Sequence, residues 1–232
     1  MNVLYLIRHG QASFGTAHYD QLSERGFEQS RITGEWFKQC GIQIDHAVAG
    51  GLQRHVQTAE TFLSGYCGSS GWQSPIHRDP EFNEVDQIDM LNPNNAETKV
   101  GPKRDGTAKM TFDQFKENLT AAYFRWTCGL YDREYKLPYP LYAARCATAI
   151  QRAVGLAQEG ETVAAFSSGG TIAMICRDVM LLGDQTTSDL MWLISNTSVS
   201  KLNCEDGKFT LTMFNSLAHL EQLADPALIT LT

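Results

Sequence analysis

Long apolar runs are missing from this chain of 232 residues. None approaches the roughly 20 residues that a membrane-crossing helix needs. An excess of basic residues is missing too. With 26 acidic against 19 basic residues the net charge is −7, which argues against nucleic acid or a membrane as a partner but leaves room for a local cationic pocket. The six cysteines, at 40, 67, 128, 146, 176 and 204, contain no CxxC pair and no Cys/His pair at zinc-ligand spacing. Neither a metal site nor a disulfide framework is therefore expected, and a reducing, cytoplasmic compartment is. The opening MNVLYLIRHG lacks the charged n-region and small-residue cleavage site of a signal peptide and reads as a strand. Internal repeats and long low-complexity segments are absent as well.

What is present is a chain that is 43% apolar, enough to bury a core. Residues 2–7, 45–49, 75–78 and 162–166 read as short strands. Ser23 is a good N-cap for a helix to about Lys38, and further helices are expected from about Leu52 to Leu63 and from the Ser-Ser-Gly-Gly turn at 167–170 to about Leu182. This alternation predicts an α/β fold, a three-layer α/β/α sandwich with a mostly parallel central sheet. The middle differs. Residues 92–109 are polar with no apolar period and read as a long loop. Thr111 with Gln114 makes a capping box, after which Phe112, Phe115, Leu119, Tyr123, Trp126 and Leu130 mark one helical face. A helix over about 141–158 would place Ala147, Ile150, Val154 and Ala157 on one side. The expectation is one domain, 1–232, with a helical insertion at about 85–138.

Four segments carry residue types suited to chemistry. Leu6-Ile7-Arg8-His9-Gly10-Gln11 follows the first strand, where ligands bind in open α/β sheets. Gly50 and Gly51 precede a helix that carries Arg54, a layout that offers backbone N–H groups, a dipole end and a guanidinium fork to an anion. His55, next to it, reads as a helix-surface residue. Glu84 follows the third strand. Ser167-Ser168-Gly169-Gly170-Thr171 is a second strand-to-helix turn of the anion-binding kind.

Together these segments resemble the histidine phosphatase superfamily, which includes cofactor-dependent phosphoglycerate mutase. LIRHG resembles its nucleophile motif, LQRHVQTAE its second-arginine helix, YDQLSERGFEQS the segment between them, FNE the position of its acidic residue, and FSSGGTI a motif that normally reads S-H-G-G-T. The resemblance implies catalytic roles for His9, Arg8, Arg54, Glu84 and Ser168. Arg8, Arg54, Gln11, Ser168 and Gly169 would hold the phosphate of a small phosphorylated substrate, or inorganic phosphate, with no metal and no cofactor. His9 would attack phosphorus, the arginines would hold the non-bridging oxygens, and Glu84 would serve as acid and then base.

Two positions depart from the pattern. Ser168 stands where the family has its second histidine, and Gly15 where the mutase-like pattern has asparagine. Loss of one preorganised donor costs on the order of 10²–10³ in rate, so a weak phosphatase is expected, with histidine at 168 raising its turnover. The alternative is a phosphoanion-binding pseudoenzyme with little or no turnover. Candidates for a replacement are Arg78, Lys103, Arg104 and Lys109; His219 reads as structural.

Overall fold

The computed structural model describes residues 1–13, 20–91 and 112–231. The polar loop 92–109, with Lys103, Arg104 and Lys109, lies outside the described residues, as do Gly15 and the capping residue Thr111.

Among the described residues six strands form one sheet: β1 (Asn2–Arg8), β2 (His46–Ala49), β3 (Ile76–Arg78), β4 (Thr162–Ser167), β5 (Val199–Glu205) and β6 (Lys208–Ser216), in the order β3-β2-β4-β1-β5-β6. β2 pairs in parallel with β3 and with β4, and β4 with β1; β5 and β6 add an antiparallel hairpin at one edge. The helices among the described residues are α1 (Glu24–Gln39), α2 (Gln53–Cys67), α3 (Gln87–Leu91), α4 (Phe112–Thr127), α5 (Tyr139–Val154), α6 (Gly169–Met180), α7 (Asp184–Leu193) and α8 (Ala218–Glu221). None is long and apolar enough to cross a membrane.

The strand period of two divides the core into two layers. Leu4 and Leu6 of β1, with Val163 and Ala165 of β4, pack against Tyr123 and Trp126 of α4, Tyr142 and Cys146 of α5, and Ile172 and Ile175 of α6. Tyr5 and Ile7, with Ala164 and Phe166, pack on the other side against Phe37 of α1 and Phe62 and Leu63 of α2. The sandwich is thus three-layered. Ser23 caps α1, its side chain accepting from Gly26 N.

Two local expectations need correction. The apolar face in α4 does not reach Leu130, because the helix ends at Thr127 before Gly129 at φ 74°, and Leu130 is exposed. In α5 the buried side is Tyr139, Tyr142, Cys146, Ala149, Ile150 and Ala153; Val154 is its last residue, so Ala157 falls beyond it. The two tyrosines bury more area than the alanines of the expected face, and they set the helix rotation. Tyr123 and Trp126 are fully buried and pack with Tyr139.

α1 and α2 approach unusually closely because glycines line the crossing. A Cβ on Gly34 would come within 1.9 Å of Phe62 O, and one on Gly65 within 2.4 Å of Arg31 O. Both obstacles are helix backbone and cannot rotate away. Gly34→Ala is therefore expected to destabilise the fold by about 3 kcal/mol, a drop in Tm of roughly 6–12 °C. A thermal melt within 2 °C of wild type (about half a kcal/mol) would show that the helices can part freely.

Candidate active site

The site forms at the carboxyl ends of β1, β2 and β4. His9 follows β1 directly. Its backbone N–H donates to Ser167 O at 2.8 Å, and its carbonyl accepts from Asn196 Nδ2 at 3.1 Å. The neighbouring strand end and the 196–197 turn thus fix the main chain on both sides. The imidazole is oriented by its own chain, with Nδ1 lying 2.7 Å from Gly10 O. A carbonyl can only accept, so Nδ1 carries the proton and Nε2 the lone pair. Nε2 has no hydrogen bond among the described residues. Burial, then the Arg54 and Arg8 guanidiniums and His55, holds the imidazole well below the ordinary histidine value of 6.5.

Arg8 ends β1 and donates from Nη1 to Ile194 O. Its guanidinium lies beside the start of α6, where a Cβ on Gly169 would sit 3.6 Å from Nε. Arg54, in the first turn of α2, is 7% exposed and donates from Nη1 to Asp20 Oδ1 at 2.6 Å. The same carboxylate accepts from Gln53 N at 2.8 Å, and Gly51 N donates to Asn83 Oδ1 at 2.6 Å. Gly50 N donates to Phe166 O at 3.1 Å, so these amides of the helix start are engaged within the protein. The guanidinium, rather than the Gly-Gly turn, is what α2 offers an anion.

Glu84 is held by its backbone neighbours. Asn83 O accepts from Thr171 Oγ1 at 2.9 Å and from Arg145 Nη2, and Phe82 O accepts from Ser167 Oγ at 2.6 Å. The Glu84 carboxylate accepts from Val85 N at 3.0 Å, Gly170 N at 3.1 Å and Tyr142 OH at 3.3 Å. Residue 170 must be glycine for this, since a Cβ there would lie 2.3 Å from Oε1. A cleft of about 570 Å³ opens beside Glu84 and Arg54 and is also lined by Lys136, Leu137 and Arg145. The end of β1, the second-arginine helix, the acidic segment and the late Ser-Gly turn thus meet at one place, with two guanidiniums acting on one imidazole.

A family model described as the histidine phosphatase superfamily (branch 1) matches residues 4–217. The chain belongs to the histidine phosphatase superfamily. Its members include phosphatases and mutases. A 2,3-bisphosphoglycerate-dependent phosphoglycerate mutase of Staphylococcus carnosus is 28% identical over 144 residues, which span 59% of this chain and 61% of that enzyme. Among solved structures, a phosphoglycerate mutase from Bacillus anthracis aligns with TM-score 0.65 and 19% identity, covering 96% of each chain. A phosphoserine phosphatase from Entamoeba histolytica aligns with TM-score 0.62 and 17% identity over 95% of this chain and all of that one. These two likenesses are of fold.

Of the residues expected at the site, Arg54 and Glu84 line this cleft, and His9, Arg8, Gln11, Ser168 and Gly169 do not. Gln11 turns toward α1: its backbone N–H donates to Gln29 Oε1 at 2.8 Å, and its side-chain oxygen accepts from Ser23 Oγ at 2.9 Å. Arg78 is exposed and lines a separate groove with Glu60 and Trp72. His219 is buried, its Nε2 3.3 Å from Thr197 Oγ1, away from the cleft. Arg145 and Lys136, cations of the cleft, carry no sequence signal; one sits mid-helix and the other in a loop. The reading of His55 as a surface residue is overturned, since it is 0% exposed. Its signal was present: Thr58, Ala59 and Phe62 stand three, four and seven residues on, and all are buried.

The buried histidines give the fold an acid sensitivity. Burial pulls His219 down to about 4, and His9 and His55 are also lowered. The unfolded chain then takes up protons first as pH falls below 6.5, so stability is full above that value and is lost on the way down to about 4. His219 alone accounts for about 2 kcal/mol at pH 5. Urea unfolding should show a clearly lower midpoint at pH 5 than at pH 7, and His219→Gln should flatten the difference. Equal midpoints would contradict the buried neutral state.

Proposed function

We propose that the chain is a metal-independent phosphomonoester hydrolase that acts on a small phosphorylated metabolite through phosphohistidine at His9. One observation carries this reading: an imidazole whose Nδ1 is tied to Gly10 O at 2.7 Å, with its Nε2 lone pair uncommitted and both Arg8 and Arg54 acting on the ring. A neutral ring is the nucleophilic form, and the depressed proton affinity keeps it neutral at and below pH 7.

In the first step Nε2 bonds to phosphorus as the ester oxygen leaves. The arginines take up charge on the non-bridging oxygens. Glu84, in protonated form, delivers its proton to the departing oxygen. In the second, the carboxylate removes a proton from water, whose oxygen bonds to phosphorus and displaces His9 Nε2. Inorganic phosphate leaves, and Glu84 is again protonated. Arg145 and Lys136 line the cleft beside the carboxylate and would meet the rest of the substrate. The segment 85–138, in this reading, shapes substrate choice within one domain, in a cytoplasmic protein.

Ser168 favours a second reading, a phosphoanion-binding protein without turnover, because a neutral hydroxyl replaces the family's histidine. Incubation with an aryl phosphate in the presence of EDTA separates the two. Slow, chelator-resistant release of phosphate is expected; no release across a broad panel of phosphomonoesters would favour binding alone.

A further inference from the structure

His55 and Ser168 meet in the interior behind the nucleophile. His55 Nε2 lies 2.7 Å from Ser168 Oγ, with both residues buried. The His55 ring stands 5.7 Å from the His9 ring, centroid to centroid, at 34°. Its Nδ1 has no hydrogen-bond partner among the described residues. That nitrogen packs against Gly50, where a Cβ would come within 2.2 Å of it, so residue 50 is kept bare to admit the ring.

We propose that the His55–Ser168 pair replaces the histidine the family motif would put at 168, His55 Nε2–H donating to Ser168 Oγ so that the hydroxyl proton is turned to an oxygen of the phosphoryl group at His9. This rests on the proposed function for the identity of the anion. His55 touches Ser168 rather than substrate and is a positioning residue; Ser168 is the donor.

The tautomer follows from the unpaired nitrogen. Burial and the Arg54 guanidinium keep His55 neutral, with a single ring proton. Buried N–H groups without a partner are rarer than buried acceptors without one. The proton therefore sits on Nε2 and the lone pair on Nδ1. A hydroxyl that accepts from Nε2–H cannot donate back to it. Nor is Ser168 engaged as a helix cap, although it stands at the N-cap of α6. Its chain neighbours bind the two phosphoryl-site residues: Ser167 O holds His9 N, and Gly169 lies beside the Arg8 guanidinium. Donation into Oγ also polarises its O–H and makes it a stronger donor. One consequence reverses the expectation from sequence. Ser168→His alone is not expected to raise turnover, because His55 fills the space that ring would need.

Orthovanadate, a tetrahedral oxyanion that mimics transferring phosphoryl, tests the pair by titration calorimetry without requiring turnover. His55→Ala and Ser168→Ala are each expected to weaken vanadate binding about 10- to 100-fold. The double variant should be no more than about threefold worse than the weaker single, since each loss removes the same donor. His55→Gln, which keeps an N–H donor, should recover most of the affinity. In turnover, kcat should fall with KM nearly unchanged. Independently of any variant, ¹⁵N NMR of the wild type should show His55 protonated at Nε2. Single losses that multiply, vanadate affinity unchanged in His55→Ala, or a proton on Nδ1 would each overturn the pair. A wild type that binds vanadate but hydrolyses nothing sinks the hydrolase reading, and the variants then still decide for or against the pair. Wild type that binds no vanadate overturns both.

Discussion

Hydrolysis of an aryl phosphate is expected to fall by on the order of 10⁴-fold or more in His9→Ala, with KM for the ester changed only a few-fold. The asymmetry follows from the division of labour at the site. Removing the imidazole deletes the atom that bonds to phosphorus, whereas Arg8 and Arg54 remain to bind the oxyanion. Arg54 is 7% exposed and held at 2.6 Å by Asp20, and Arg8 is held by Ile194 O; neither anchor involves the His9 side chain. The fold should survive as well, because only one hydrogen bond of that side chain, to Gly10 O, is lost. Steady-state kinetics, an acid-labile ³²P label on the wild type and circular dichroism of the variant check this together. Hydrolysis that persists in a folded His9→Ala, or a label found on another residue, would refute phosphohistidine at this position.

The parts of the fold that were legible are those set by local chemistry. The apolar runs at 2–7 and 162–166 became adjacent parallel strands, and Ser23 capped the helix it was expected to cap. The antiparallel hairpin β5–β6 was equally legible but unread: Asp206-Gly207, at φ 50° and 75°, joins the alternating Leu202 and Cys204 to Phe209, Leu211 and Met213. Helix α7, on the surface with only Thr187 and Ser188 buried, had no comparable signal. In the site, the four motif segments were readable because each places a special residue at a strand end or helix start. The pairing of His55 was not, because it depends on a bare Gly50 and on a serine 113 positions away. The helical stripe through Thr58, Ala59 and Phe62 pointed inward. A histidine gained on that stripe together with one missing at 168 is the paired signal that sequence reading passed over.

Glu84→Gln carries the second large effect, and its pattern is more informative than its size. The carboxylate accepts from Gly170 N on one oxygen and from Val85 N and Tyr142 OH on the other. An amide can satisfy only one of those sides; its NH₂ must face a backbone N–H whichever way it turns. The variant should therefore be less stable by about 1–3 kcal/mol yet keep the loop in place, because Phe82 and Asn83 are anchored through their carbonyls to Ser167, Thr171 and Arg145. Both proton transfers are lost, but the two steps do not suffer equally. With an alkyl phosphate the leaving oxygen needs the proton, and kcat should fall on the order of 10³-fold. With p-nitrophenyl phosphate the leaving group departs unaided, so His9 is still phosphorylated and only the attack of water is slow. A rapid-quench experiment should then show a burst of nitrophenol close to one per chain, followed by slow turnover and accumulated phosphohistidine. Equal, modest losses on both substrates without a burst would mean that the carboxylate orders the start of α6 and moves no proton.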